Sequence, residues 1–156
     1  QQEVVIENIT WTPEVEIRNN YFARTPTRGI LVTTRRKVII ENNVFYRTPM
    51  SAIAVSNDAR SWYESGPVHD LTIRNNHFIE CGSPVINIAP ENNRPNGTVH
   101  KGIRIENNRF TLKDKQAIYA RWTDNIRISG NYFDGILPVS KKESVLLEHC
   151  TNVDSE

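Results

Sequence analysis

Long apolar runs are absent from this chain. None of its 156 residues fall in a run of 18 consecutive apolar positions, so no membrane span is expected. Neither sign of charge is in excess. The 19 basic and 18 acidic side chains leave a net charge of +1, which removes the electrostatic case for a nucleic-acid partner. The two cysteines, Cys81 and Cys150, are too few for a disulfide framework and lack metal-ligand spacing. The 7 glycines form no phosphate-binding loop. The four histidines, His69, His77, His100 and His149, do not cluster, and structural or exposed roles are expected for them. No metal or cofactor is expected. The stretch Gln1-Gln2-Glu3-Val4-Val5 has neither a basic nor an apolar leader region, so no signal peptide is visible.

What is present is a repeat. The segment Val15 to Phe22 returns at Val38 to Phe45, Leu71 to Phe78 and Ile103 to Phe110, and more loosely at Ile126 to Phe133. Its pattern is apolar-x-Ile-x-Asn-Asn-x-Phe. The central Ile falls at 17, 40, 73, 105 and 128, giving steps of 23, 33, 32 and 23. The basic period is 23, and two units carry insertions of about ten residues. A second apolar run keeps step: Ile30-Leu31-Val32, Ile53-Ala54-Val55, Ile86-Asn87-Ile88 and Ile118-Tyr119-Ala120. Each unit therefore reads as two short alternating strands separated by turn chemistry. The Leu-x-x-Leu-x-Leu framework of a leucine-rich repeat is missing. The expected fold is all-β, a right-handed parallel β-helix (solenoid) of about five coils of ~23 residues with two loop insertions.

Stacking explains the columns. Equivalent positions of successive coils lie about 4.8 Å apart. The five Ile residues then form one buried column and the five Phe residues a second of offset rings. One Asn of each pair takes the left-handed backbone, and stacked Asn amides bond from coil to coil. In the last copy Gly130 serves the same backbone need. These Asn residues are expected to be structural.

In order, residues 1–13 read as a strand-like lead-in, 14–135 as coils and 136–156 as a C-terminal cap or tail, in one domain. The repeat decays beyond Gly135: Ser144 to His149 reads as a strand or short helix, and Asn152 to Glu156 as frayed. No N-terminal cap is recognisable, so the expectation is a portion of a longer β-helix. A homo-oligomer covering the open helix end is the other solution. The turns at Arg24 and Arg47 stack, and Glu80 in the third coil falls beside Arg47 as an ion pair. His69 and His100 occupy matching places in neighbouring coils.

Both insertions leave one corner, at Asn57 to Asp70 and at Pro90 to Lys101, and form a wall beside the coil face. Aligning that corner gives the column Arg35, Asp58, Glu91, Thr123. Two carboxylates one rung apart can divide acid and base roles, as in glycosidases. Glu64 is a third candidate, carried beside Trp62 and Tyr63, and an aromatic ring next to a carboxylate suits a sugar. The competing reading is that these acids cap loops and the aromatics cover the flank. Both readings stay open at the level of spacing.

The words Thr25-Pro26-Thr27-Arg28-Gly29-Ile30-Leu31-Val32-Thr33-Thr34-Arg35-Arg36, Ile40-Glu41-Asn42-Asn43 and Ser61-Trp62-Tyr63-Glu64-Ser65-Gly66-Pro67-Val68 resemble the α-1,3-galactosidases of glycoside hydrolase family 110. The resemblance runs from about Ile6 to Gly135. It implies the C-terminal portion of a chain several times longer, in a secreted or periplasmic bacterial enzyme. Such enzymes remove terminal α-1,3-linked galactose from blood-group B-type and linear glycans, with inversion and without a metal. The partner implied is a galactose-terminated oligosaccharide or glycoconjugate. Residues 7–14 would be the return from an inserted β-barrel module. The resemblance places the catalytic aspartates largely in earlier coils, so this portion alone is expected to be inactive or nearly so. It assigns Arg28, Arg35, Trp62 and Tyr63 to the cleft lining. Asp58, Glu64 and Glu91 remain the candidate catalytic acids within this chain. Two alternatives share the architecture: a non-catalytic carbohydrate-binding or structural β-helix, and a polysaccharide lyase, for which the inner-face acids are sparse.

Overall fold

The computed structural model describes residues 6–58, 62, 66–92, 96–135 and 140–156. The first coil contains β1 (Val15–Arg18), β2 (Tyr21–Ala23) and β3 (Ile30–Val32). The second has β4 (Val38–Glu41), β5 (Val44–Tyr46) and β6 (Ile53–Val55). The third has β7 (Leu71–Arg74), β8 (His77–Ile79) and β9 (Ile86–Ile88). In the fourth come β10 (His100–Glu106), β11 (Arg109–Leu112) and β12 (Ile118–Arg121). A fifth coil runs through β13 (Thr123–Ser129), β14 (Tyr132–Gly135), the short α1 (Lys141–Ser144) and β15 (Val145–Glu148). β16 (Thr151–Ser155) then opens another turn.

Strands of equal rank pair in parallel from coil to coil. Sheet A is β1-β4-β7-β10-β13-β16, sheet B is β2-β5-β8-β11-β14, and sheet C is β3-β6-β9-β12-β15. Each coil is therefore three-sided, where the sequence pattern predicts two strands. Sheet B escaped the pattern because its strands are mostly three residues long with one inward side chain, the Phe. One inward residue leaves no alternation to read.

The registers put Ile17, Ile40, Ile73, Ile105 and Ile128 in one column. All but Ile17 are fully buried, and each such side chain contributes about 2 kcal/mol of transfer free energy. The Phe column is equally regular. Ring centroids from Phe22 through Phe45, Phe78 and Phe110 to Phe133 are 4.7, 5.0, 4.8 and 5.1 Å apart, with planes 7° to 22° off parallel. That is parallel stacking at the rung spacing.

The corner between sheets A and B follows from the Asn pair. Asn19, Asn42, Asn75 and Asn107 have positive φ, and Gly130 takes the place in the fifth coil with φ 62°. The second residue of each pair carries the ladder. The backbone N–H of Asn20, Asn43, Asn76 and Asn108 each donates to the Oδ1 of the next coil's Asn, at 2.9 to 3.0 Å. Each such Asn from 43 onward returns a side-chain N–H to an Ile carbonyl of the preceding coil. Buried polar groups at the bend are thereby paired.

Both flanks depart from expectation. Residues 6–14 form no strand, only a turn at Thr10–Trp11, and leave Ile6 and Trp11 exposed. The repeat does not end at Gly135, and the stretch expected to fray is ordered in a sheet. β15 pairs with β12, and β16 pairs with β13. Ile118↔Val145 and Ile126↔Val153 continue existing columns, so the last coil takes its geometry from the coil beneath it.

Candidate functional site

Three corners separate the sheets, and the insertions leave only the one between C and A. The strands β6 and β9 run straight into them, from Val55 to Asp58 and from Ile88 to Glu91. The two insertions are tied together. Asn57 donates a side-chain N–H to Asn92 Oδ1 at 3.2 Å, and the Glu91 backbone N–H donates to the Asn57 carbonyl at 3.3 Å.

Asp58 is only 2 % exposed, and its Oδ2 accepts the backbone N–H of Trp62 at 2.9 Å. The acid is therefore tied to the backbone of its own insertion. Glu91, one rung on, is half-exposed, and its carboxylate makes no hydrogen bond or ion pair among the described residues. Two acids at matching positions thus sit in unlike surroundings. Trp62, in the first insertion, is 79 % exposed. Tyr63 and Glu64 lie outside the described residues.

Arg35 belongs to the same corner and is committed to a partner. Its Nε and Nη2 donate to Glu7 Oε2 at 2.9 and 2.6 Å, which pins residues 6–14 against the coil. Gly66, closing the first insertion, is fitted into that contact. It has φ 139°, and a Cβ there would lie 2.6 Å from the Thr33 carbonyl and 2.7 Å from Glu7 Oε1. Only glycine satisfies both the space and the backbone angle. Arg28 is exposed on a different corner, between sheets B and C, so the structure does not bring it beside Arg35, Asp58 and Glu91.

Thr123 and the histidines are interior or flanking groups. Thr123 is buried in β13 and donates to the Arg121 carbonyl at 3.0 Å. His100 is fully buried inside the corner, where its Nδ1 accepts the Val68 N–H at 3.0 Å. Burial, with the nearby His69 adding to it, pushes the His100 pKa down to about 4. His69 is only half-buried; burial first, then Lys101 and Arg35, hold its pKa below the usual value. Matching sequence positions thus separate into one core imidazole and one flank imidazole. Among the described residues no three His, Cys, Asp or Glu side chains gather as a metal site.

Residues of the fifth coil also reach this region. Trp122 stacks on His149 with centroids 4.1 Å apart, and Glu148 lies in register with Arg121. A forward count from Ile118 by one basic period of 23 misses them, because the fifth turn carries α1 and is longer. The expected ion pair at the B–C corner is present, Arg47 Nε donating to Glu80 Oε2 at 2.7 Å. A cavity of about 250 Å³ lies at the end of the core under the first coil, lined by Val15, Ile17, Ile30, Val32 and Val38. Its lining is the end of the hydrophobic column, and it reaches Thr33 and Thr34 at the corner from which the insertions leave.

Comparison with known proteins adds to this geometry. Residues 8–133 match the family described as right handed beta helix region. Alpha-1,3-galactosidase A of Bacteroides thetaiotaomicron is 53% identical over 157 residues, which covers 98% of this chain and 28% of that relative. Alpha-1,3-galactosidase A of Akkermansia muciniphila is 47% identical over 133 residues, 85% of this chain and 22% of the relative. Alpha-1,3-galactosidase B of Bacteroides thetaiotaomicron is 42% identical over 163 residues, 96% of this chain and 26% of the relative. The chain spans about a quarter of the length of these curated relatives.

Proposed function

The chain belongs to the right-handed β-helix family, and from that premise we propose that it is part of a glycoside hydrolase that removes terminal α-1,3-linked galactose. The observation that carries the reading is the 53% identity across 98% of the chain to a protein named alpha-1,3-galactosidase A. Both insertions and the corner they leave fall inside the matched length. The substrate is a galactose-terminated oligosaccharide or glycoconjugate, and the parent is a secreted or periplasmic bacterial enzyme.

The mechanism we infer is single displacement with inversion. One carboxylic acid protonates the glycosidic oxygen, and a carboxylate about 6.5–9.5 Å from it activates water. Within the described residues Asp58 is already engaged with the Trp62 backbone, whereas Glu91 keeps its carboxylate available. Glu91 is therefore the better candidate for contact with substrate, and Asp58 for shaping the wall. The principal acids lie in coils outside this chain, which alone is inactive or nearly so. Further coils or a second copy cover the apolar end beneath coil one.

The test is galactose release from α-1,3-galactobiose by the longer parent polypeptide and by this portion alone, with product anomer followed by NMR. Initial release of β-galactose by the parent alone supports the reading. No release by the parent sinks it, and the non-catalytic binding reading replaces it.

A further inference from the structure

We propose that Asn96, in the second insertion, is a site of spontaneous covalent modification, where the folded chain converts asparagine to aspartate and isoaspartate through a ring closed by the backbone nitrogen of Gly97. The inference stands on this corner's geometry and does not rest on the galactosidase reading.

The reaction has three requirements: a carboxamide that no partner holds, a following backbone nitrogen that no side chain shields, and backbone freedom to bring the two together. Asn96-Gly97 is the one Asn-Gly pair in the sequence. Asn96, Gly97 and Thr98 are all exposed. Among the described residues neither the Asn96 carboxamide nor the Gly97 N–H makes a hydrogen bond. Gly97 has φ 96° and nothing within 4 Å of a Cβ placed on it, so its nitrogen is open on every side. Anchoring resumes at Val99, whose N–H donates to the Trp122 carbonyl at 2.7 Å.

Other candidates fail at least one requirement. The ladder residues Asn43, Asn76 and Asn108 are buried, with both side-chain oxygen and nitrogen bonded, and each is followed by the first residue of a sheet B strand. Asn57 accepts the Gly66 N–H at 3.3 Å and donates to Asn92 Oδ1 at 3.2 Å. Asp134-Gly135 closes the same ring in principle, but it lies in β14 paired with β11, and Asp134 Oδ2 accepts Arg109 Nη2 at 2.9 Å. Strand pairing and that ion pair hold the carboxylate away from the next nitrogen.

At Asn96 the Gly97 nitrogen attacks the side-chain carbonyl carbon. The new N–Cγ bond closes a succinimide, the Cγ–Nδ2 bond breaks, and ammonia leaves with the proton that Gly97 gave up. Solvent water then opens the ring at either carbonyl. Opening at one gives aspartate; opening at the other gives isoaspartate, whose backbone is longer by one methylene. Either product adds a carboxylate to the insertion that carries Glu91, and takes the net charge of this portion from +1 to neutral.

The experiment incubates the longer parent polypeptide, folded and in urea, in warm, mildly alkaline buffer, with Asn96→Gln as the variant that keeps the amide but lengthens the ring. Ammonia release is followed, and peptide mapping by mass spectrometry locates aspartate and isoaspartate. Conversion at Asn96 in the folded parent is expected to run at least about tenfold faster than at Asn57, Asn76 or Asn92, and within a few-fold of its rate in urea. Asn96→Gln removes this early ammonia release, and isoaspartate at Asp134 forms only in urea. Conversion at Asn96 no faster than at the other three residues overturns the proposal. So does a rate in the folded parent more than about tenfold below that in urea, since the folded insertion then protects the site.

Discussion

Asn76 and Asn108 share one oxygen: the backbone N–H of Asn76 donates to Asn108 Oδ1 at 2.9 Å, and the Asn76 side-chain N–H reaches the same atom at 3.0 Å. Asn76 in turn accepts the Asn43 N–H and donates to the Ile40 carbonyl, both at 2.9 Å. One side chain therefore joins three coils at the bend, beside the backbone bonds of its neighbours.

Replacing Asn76 with Ala leaves the Asn43 N–H and the Ile40 carbonyl unpaired at a buried corner. The expected loss is about 3 kcal/mol of unfolding free energy. Asn20→Ala, at the exposed first rung, is expected to lose less than about 1 kcal/mol. Urea denaturation of both variants checks this, and equal losses would remove the ladder from the account.

Asp58 has two readings that one pair of variants separates. As a loop-holding acid it loses its grip in Asp58→Ala but not in Asp58→Asn, whose amide oxygen still accepts the Trp62 N–H. Galactose release by the parent is then kept largely by Asp58→Asn and falls about tenfold in Asp58→Ala. Abolished turnover in Asp58→Asn, with an unchanged melting temperature, would make the residue a catalytic acid.

Gly66→Ala meets both an unfavourable φ of 139° and close contacts with Thr33 and Glu7. Gly97 also has positive φ, at 96°, but nothing lies within 4 Å of a Cβ there. The expected destabilisation is about 2 to 3 kcal/mol at Gly66 and about 1 kcal/mol at Gly97. Melting temperatures of the two alanine variants give the comparison. Early proteolysis in the first insertion should accompany the Gly66 change alone.

His100 makes stability depend on pH. Its pKa is lowered to about 4 in the folded chain, against about 6.5 unfolded. The native state therefore favours the neutral ring. Its contribution is fully present above about pH 6.5 and is lost progressively as pH falls toward 4. The loss across that window is about 3 kcal/mol. His100→Gln should flatten this part of the stability curve, measured by denaturation at pH 7 and pH 4.5. An equal slope in both proteins would place the pH dependence elsewhere.

The period of 23 with its two insertions was legible in the sequence, and so were the Ile, Phe and Asn columns and the glycine substitution at Gly130. In a stacked coil, equal positions must be neighbours, so a one-dimensional repeat already specifies its lateral contacts. The same logic found the ion pair of Arg47 with Glu80 and put Asp58 and Glu91 one rung apart. Tertiary structure decided what the period leaves free. The number of sides per coil depends on corners, and a three-residue strand with one inward Phe shows no alternation. That missing side is why Arg28 and Arg35, seven positions apart, lie on different corners. Exposure was also undecided, since spacing alone cannot say that Asp58 is buried against its own loop while Glu91 is half-exposed. Beyond Gly135 the period was lost to the sequence, because the register of β15 and β16 comes from the open edges of β12 and β13 beneath them. Pairing with those edges places Glu148 within hydrogen-bond reach of Tyr119.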